Sequence, residues 1–171
     1  PENVWGVDIG RHESTEEGGA WGFDPPLKTP EDFERLRQPT YTYDEAETRE
    51  ALDRANDLLG DILPVRLECG PHLSGTLCHY AAALRGLSEI MWDMAIDPDL
   101  VHRLMAHVRD AALADADAVE ATGLVTPDNH GPMTCSDPIG PEPPDGRYTL
   151  KNCWCHANSQ EFDQVSPAMW D

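Results

Sequence analysis

Basic residues and long apolar runs are both scarce in this sequence of 171 residues. Twelve Lys and Arg residues stand against 32 Asp and Glu residues, which gives a formal net charge of −20. A chain with this charge should repel nucleic acid and anionic membranes, so we expect neither as a partner. No apolar run approaches the ~18–20 residues that a transmembrane helix requires, and the first residues do not form a signal peptide.

The cysteine content argues against a secreted domain held together by disulfides. The number of cysteines is odd, and their spacing is unlike that of a secreted disulfide framework. They are Cys69, Cys78, Cys135, Cys153 and Cys155. We therefore expect a reduced, cytoplasmic protein.

Both ends of the chain indicate a piece of a larger protein. The sequence starts at Pro1 without an initiator Met, and it stops at Asp171. Ser166-Pro167, shortly before that end, has the pattern of a helix start, with Ser as N-cap and Pro at the first helical position. A helix that stops within its first turns has almost no face to bury, so we expect the natural chain to continue.

Helix starts, apolar stripes and breaker residues predict an α/β class. The predicted helices begin near Thr29, Asp44, Ser74 and Ser88, with a long amphipathic helix over residues 98–121. Two β-type runs, residues 62–69 and 148–155, predict strands. Residues 1–28 and the Pro- and Gly-rich residues 124–146 predict loops.

Three acids crowd the C-terminal half of the long predicted helix. Acidic side chains near the C-terminal end of a helix interact unfavourably with the helix dipole, and water reduces that cost. We expect Asp115, Asp117 and Glu120 to lie on a solvated face.

The order of motifs in the middle of the chain resembles that of the uroporphyrinogen decarboxylase superfamily. The motifs that carry this resemblance are Gly70-Pro71 after a β-type run, Thr76-Leu77 and Tyr80 at a helix start, Asp-Pro-Asp-Leu-Val-His-Arg-Leu at residues 97–104, and Ser166-Pro167. The resemblance covers residues 62–171, and residues 1–61 match only loosely.

The resemblance implies that the chain is part of a (β/α)8 TIM-type barrel, incomplete within these residues. Residues 1–61 would be an N-terminal loop and helical segment that leads into the barrel. Residues 62–171 would be its central portion, with an insertion at 124–146. The active site of such a barrel lies at the C-terminal ends of the strands.

Two residues are candidates for catalysis. By the resemblance, Tyr80 reaches the substrate, where its phenol can donate a hydrogen bond to developing charge. Glu161 follows the second β-type run and can act as an acid or base if it is buried. The candidates for substrate contact are His79, Asn158, Ser159 and Gln160. The structural alternatives are a packing role for the Tyr80 ring and a polar loop over residues 158–161.

A cluster of soft ligands follows the Pro- and Gly-rich segment. Cys153 and Cys155 would face the same side of a strand, and His156 could join them if the strand ends there. Cysteine and histidine are ligands that suit zinc, so these residues predict a zinc site. The alternative is that the two cysteines are small buried residues of a strand.

The resemblance implies methyl transfer between a corrinoid, carried by a partner protein, and a thiol that zinc activates. The zinc ligands of that branch, a His-x-Cys and a later Cys, would follow residue 171. The alternatives are cofactor-free decarboxylation of a tetrapyrrole or other carboxylated substrate, and a non-catalytic metal-binding or interaction module. We expect a small-molecule substrate, an inactive fragment, and association with a second copy or with the remainder of the barrel.

Overall fold

The structure of the chain is a computed structural model that describes residues 4–127, 137–157 and 162. Of these residues, 47% are helical and 4% are in strands, and the strands form one two-stranded antiparallel sheet. The prediction of part of a (β/α)8 barrel is therefore wrong, because a barrel requires consecutive parallel strands.

The two predicted strands are absent from the described residues for different reasons. Residues 62–69 form turns and extended chain, and Ile62 and Leu63 are exposed. An apolar run becomes a strand only when another strand pairs with it. In the other run, a 3-10 helix forms at Leu150–Asn152, where the Asn152 side chain accepts a hydrogen bond from the Thr149 N–H (3.1 Å).

The described chain divides into two compact units that are interleaved in sequence. Unit 1 consists of residues 1–40, 74–114 and 156–171, and unit 2 consists of residues 41–73 and 115–155. The division that the sequence predicted, into residues 1–61 and residues 62–171, stays a prediction.

Unit 1 contains a short hairpin and three helical segments before the long helix. Strand β1 (Gly10–His12) pairs with β2 (Gly22–Asp24), so the segment predicted as irregular contains a small sheet. A 3-10 helix at Pro30–Arg35 follows, then α2 (Leu77–Arg85) and α3 (Leu87–Ile96). Gly86, with φ +96°, separates these two helices, and its backbone conformation is one that other residues rarely adopt.

The core of unit 1 is built from Leu27 and from side chains of the 3-10 helix, α2, α3 and the long helix that follows. Fully buried side chains stabilise by roughly 1.5–3 kcal/mol each when they are of Leu or Ile size. They include Leu27, Leu84, Ile90, Leu104 and Val108, and Phe33 beside them is 6% exposed. Leu27 is also tied to α2, since its N–H donates to the carbonyl of Leu84 (3.0 Å).

The long helix α4 (Pro98–Thr122) confirms the helix predicted over residues 98–121. Asp97 caps it, and its Oδ1 accepts a hydrogen bond from the Leu100 N–H (3.3 Å). One face is buried along the whole length, at Leu100, Leu104, Val108, Ala111, Asp115 and Val119. The spacing of four, four, three, four and four residues is that of a single helical stripe. Five of the six members are apolar, and the sixth is an aspartate.

Unit 2 contains α1 (Glu45–Leu59), predicted from its capping signal. Asp44 is the N-cap, and its carboxylate accepts from the Glu47 N–H (2.9 Å). Elsewhere in the unit, the Cys69 N–H donates to Thr126 Oγ1 (2.9 Å) and the Thr126 N–H donates to the Cys69 carbonyl (3.0 Å). These bonds hold the extended segment that leads to His72. Across the described part of the chain, no helix is both long and apolar enough to cross a membrane.

Candidate acid–base site

Asp115 is a buried carboxylate on the apolar stripe of α4, with 0% exposure. Removing an ionised carboxylate from water is costly unless hydrogen-bond donors replace the water. Two donors do so within unit 2: the Leu73 N–H contacts Oδ2 (2.7 Å), and His72 Nδ1 contacts Oδ1 (3.0 Å). The expectation that Asp115 lies on a solvated face is therefore wrong.

His72 links this buried carboxylate to solvent. Its side chain is 64% exposed, although Asp115 beneath it is inaccessible. Tyr41 stacks on the imidazole, with ring centroids 5.5 Å apart and an angle of 16° between the ring planes. The Asp115 contact and the Tyr41 stack together restrict the orientation of the ring.

The geometry selects one tautomer of a neutral His72. An ionised carboxylate only accepts hydrogen bonds, so the ring nitrogen at 3.0 Å from it, Nδ1, must carry the proton. Nε2 then retains a lone pair on the part of the ring that is remote from Asp115. An imidazole held in this way has the geometry to accept a proton or a hydrogen bond through Nε2.

A second buried carboxylate, Asp93 in unit 1, has a different kind of partner. It forms a two-point contact with Arg85, through Nε (2.7 Å) and Nη2 (3.1 Å). Arg85 Nη1 also donates to the carbonyls of Leu27 and Lys28, each at 2.8 Å. The hydrogen bond to Asp93 raises the pKa of Arg85 above its ordinary value. This pair ties α2 to α3 and to residues 27–28.

Tyr80 and His79, predicted at the active site, lie in the first turn of α2 in unit 1. The Tyr80 hydroxyl accepts a hydrogen bond from the Ser74 N–H (2.9 Å), and its ring packs against Trp5 (5.7 Å between centroids). His79 is exposed, and its ring lies 5.8 Å from that of Phe23. Tyr80 thus has a structural contact at its hydroxyl, and its catalytic role stays a prediction.

The predicted site residues Asn158, Ser159, Gln160 and Glu161 lie outside the described residues. Their roles in catalysis and substrate binding stay predictions.

The predicted zinc ligands do not form a strand. Cys153 is half-buried in unit 2, where its thiol contacts the carbonyls of Thr126 (3.5 Å) and Thr149 (3.6 Å). Cys155 is exposed and belongs to the same unit, whereas His156 belongs to unit 1. Because these residues do not form a strand, strand alternation does not place the two cysteines on one side, and their role as metal ligands stays a prediction.

Zinc is not excluded by the arrangement of the described donors, and it stays a prediction. Within residues 4–127, 137–157 and 162, no three His, Cys, Asp or Glu side chains are grouped so that they could hold a metal ion. A structural zinc site requires four such ligands and a catalytic one requires three. A corrinoid, carried by a partner protein, likewise stays a prediction.

His72 and Asp115 are the functional candidates that sequence reasoning missed. A signal for Asp115 was present, because the apolar spacing of α4 places residue 115 on the buried face. An acid at such a position requires a donor. His72 had no comparable signal, since it lies in a loop segment far from Asp115 in sequence.

Comparisons with protein-family models, with curated proteins and with solved structures found no match for this chain. The resemblance to the uroporphyrinogen decarboxylase superfamily therefore depends on the motifs alone.

Proposed function

We propose that this chain belongs to an enzyme in which His72 transfers a proton and Asp115 orients it. The observation that carries the proposal is a fully buried carboxylate bonded to a largely exposed imidazole. Burial excludes water from the Asp115 side of the ring, and exposure leaves Nε2 open to a substrate. This division between a buried orienting acid and an accessible base is the arrangement used in acid–base catalysis.

The reaction that we propose is methyl transfer from a corrinoid on a partner protein to a thiol. This proposal is supported by the order of motifs that resembles the uroporphyrinogen decarboxylase superfamily. It does not depend on the barrel fold. A thiol must lose its proton before its sulfur becomes a strong nucleophile. Neutral His72 can accept that proton at Nε2, and Asp115 then stabilises the resulting imidazolium. A cytoplasmic location, expected from the cysteines, is part of the same proposal.

Decarboxylation of a carboxylated substrate is the second candidate, because the same group can work in reverse. Loss of CO2 leaves a carbanion that must gain a proton, and protonated His72 can supply one.

A polyanionic tetrapyrrole also requires converging cations. Among the residues that the structure describes, six arginines already pair with carboxylates of the chain itself: Arg11, Arg35, Arg49, Arg85, Arg103 and Arg109. We therefore rank methyl transfer first.

The test replaces His72 with Asn in the protein that carries this chain. The Asn amide nitrogen can take the place of Nδ1 and keep the bond to Asp115, but nothing takes the place of Nε2. We expect methyl transfer from methylcobalamin to a thiol, followed by cobalamin absorbance, to slow by about 10²–10⁴-fold, the typical contribution of a general acid–base group.

The matched control is His102→Asn, which changes an exposed histidine on α4. It should leave the rate within about twofold, as expected for a surface change. An unchanged rate in His72→Asn would remove His72 from the mechanism. If the unaltered protein transfers no methyl group but releases CO2 from a carboxylated substrate, the second candidate replaces the first. If the unaltered protein shows neither methyl transfer nor decarboxylation, both candidate functions are overturned.

A further inference from the structure

The hairpin of unit 1 places a cation and two aromatic rings on one face. In the β1–β2 register, Arg11 lies directly opposite Phe23. Trp21 is two residues before Phe23, so its side chain lies on the same face, diagonal to Arg11. The opposite face of the hairpin carries His12 and Asp24, whose side chains are 3.6 Å apart. The alternation of the strands therefore separates an aromatic face from a polar one.

The rings of this face are accessible and differently oriented. Trp21 is 48% exposed and Phe23 is 38% exposed. Their centroids are 5.1 Å apart and their planes meet at 83°. His79 extends the group, with its ring 5.8 Å from Phe23 and at 73° to it. We call Trp21, Phe23 and His79 the aromatic corner.

The aromatic corner already holds a cation from the chain itself. The carbon at the centre of the Arg11 guanidinium lies 4.3 Å from the centroid of the Trp21 ring, a cation–π contact. The same guanidinium pairs with Glu13, through Nε and Oε1 at 2.6 Å. Arg11 thus shows both elements that a cationic ligand would use there: a π face and a carboxylate next to it.

Charge and shape narrow the class of ligand. The net charge of −20 favours the approach of cations over that of anions. A planar guanidinium covers one ring face, whereas a tetrahedral methylated ammonium can contact two faces set at a right angle. Aromatic cages are the common recognition site for quaternary ammonium groups.

We propose that the aromatic corner binds a small quaternary or methylated ammonium ion, and that Arg11 occupies the site until such a ligand displaces it. The Glu13 carboxylate, released from Arg11, then faces the bound cation. The inference does not rest on the proposed function, because the aromatic corner lies in unit 1 and His72 lies in unit 2.

The first test is a titration with tetramethylammonium at constant ionic strength, followed by tryptophan fluorescence and calorimetry. We expect saturable binding that strengthens in Arg11→Gln, because the competing guanidinium is gone. The gain should be about two- to fivefold, the factor that corresponds to an exposed cation–π contact. Absence of saturable binding to both the unaltered protein and Arg11→Gln would overturn the proposal.

The second test separates charge from shape. Choline and 3,3-dimethylbutan-1-ol have nearly the same shape, but only choline carries a charge. A cation–π site should bind choline at least about threefold more tightly, in keeping with the modest strength of exposed cation–π contacts. Equal binding of both compounds would mean an ordinary apolar patch and would contradict the proposal.

The third test locates the site among five tryptophans. Trp21→Leu keeps apolar bulk but removes the π face, so it should abolish the preference for choline, while Trp21→Phe should retain part of it. Trp92→Leu is the matched control, because Trp92 is 67% exposed and lies on α3 of the same unit. Loss of binding in Trp92→Leu with retention in Trp21→Leu would overturn the assignment. Circular dichroism checks that each variant is folded.

Discussion

Asp93 in unit 1 and Asp115 in unit 2 are both buried carboxylates on helices, yet their partners differ in chemistry and exposure. Asp93 faces Arg85, whose side chain is itself largely buried and makes four hydrogen bonds. Asp115 faces His72, whose side chain is largely exposed.

The difference between the two pairs shows that a buried aspartate can have a structural or a chemical role, depending on its partner. Arginine does not lose its proton in proteins, so the Arg85–Asp93 pair cannot exchange a proton with a substrate. Histidine changes charge within the physiological pH range of proteins in general, and an exposed ring can meet a substrate. We therefore assign the first pair to stability and the second to function. The predictions below test that assignment in order of decreasing effect.

The largest expected effect is on the stability of unit 1. Asp93→Ala leaves the Arg85 guanidinium buried without its counter-charge, so we expect the free energy of unfolding to fall by roughly 3–5 kcal/mol. Urea denaturation followed by circular dichroism measures the loss. Asp110→Ala is the control, because it removes an exposed ion pair with Arg109 and should cost less than about 1 kcal/mol. Equal effects of the two substitutions would contradict a structural role for Asp93.

A smaller loss is expected for Asp115→Ala in unit 2. It leaves the part-buried N–H of Leu73 without its acceptor, at a cost of up to roughly 1–3 kcal/mol. Asp115→Asn should cost less, but its amide can donate to His72 Nδ1 and favour the tautomer with the proton on Nε2. We therefore expect Asp115→Asn to impair activity more than stability, measured by steady-state rates beside urea denaturation. Activity that follows stability in both variants would argue for a packing role only.

His72→Asn should change stability least among the members of the two pairs. Its side chain is largely exposed, and the amide can keep the bond to Asp115, so we expect a change within about 1 kcal/mol. Urea denaturation of this variant beside His102→Asn provides the measurement. A loss as large as that of Asp93→Ala would remove the contrast between the pairs.

The smallest expected effect concerns Asp32, a partly exposed carboxylate whose side chain is 23% accessible. Its Oδ2 accepts hydrogen bonds from the backbone N–H groups of Thr29 (2.8 Å) and Lys28 (2.9 Å), and the bond from Thr29 is the largest cause of a lowered pKa. A lowered folded-state pKa contributes stability above the unfolded-state pKa, and this contribution disappears as the pH falls through the folded-state pKa.

Asp32→Asn should therefore flatten the loss of stability on the acidic side of the ordinary Asp pKa, about 3.8. The midpoint of urea unfolding, measured against pH, shows whether it does. Glu50→Gln on the exposed surface of α1 is the control for the loss of one carboxylate, and Asp32→Asn should have the larger effect. An unchanged limb in Asp32→Asn would mean that the turn at residues 28–32 does not contribute to acid sensitivity.

Local signals predicted the helices well because their determinants are close in sequence. The caps at Asp44 and Asp97 and the apolar stripe of α4 all act within a few residues, and α1 and α4 form where they indicate. The predicted strands at 62–69 and 148–155 failed because a strand depends on a partner from elsewhere in the chain. A family resemblance that depends on short motifs does not show which segments of the chain pair as strands.

The sequence by itself determined the strong negative charge, the positions of the helices and the face of α4 that turns inward. Only the tertiary structure decided that His72 meets Asp115, which lies 43 residues away, and that Arg11 lies over Trp21. Such contacts depend on how separate segments pack, and no local pattern of either partner encodes them. The proposed function therefore depends on two residues of different predictability. Helical spacing places Asp115 on the buried face of α4, whereas only the folded chain brings His72 into contact with it.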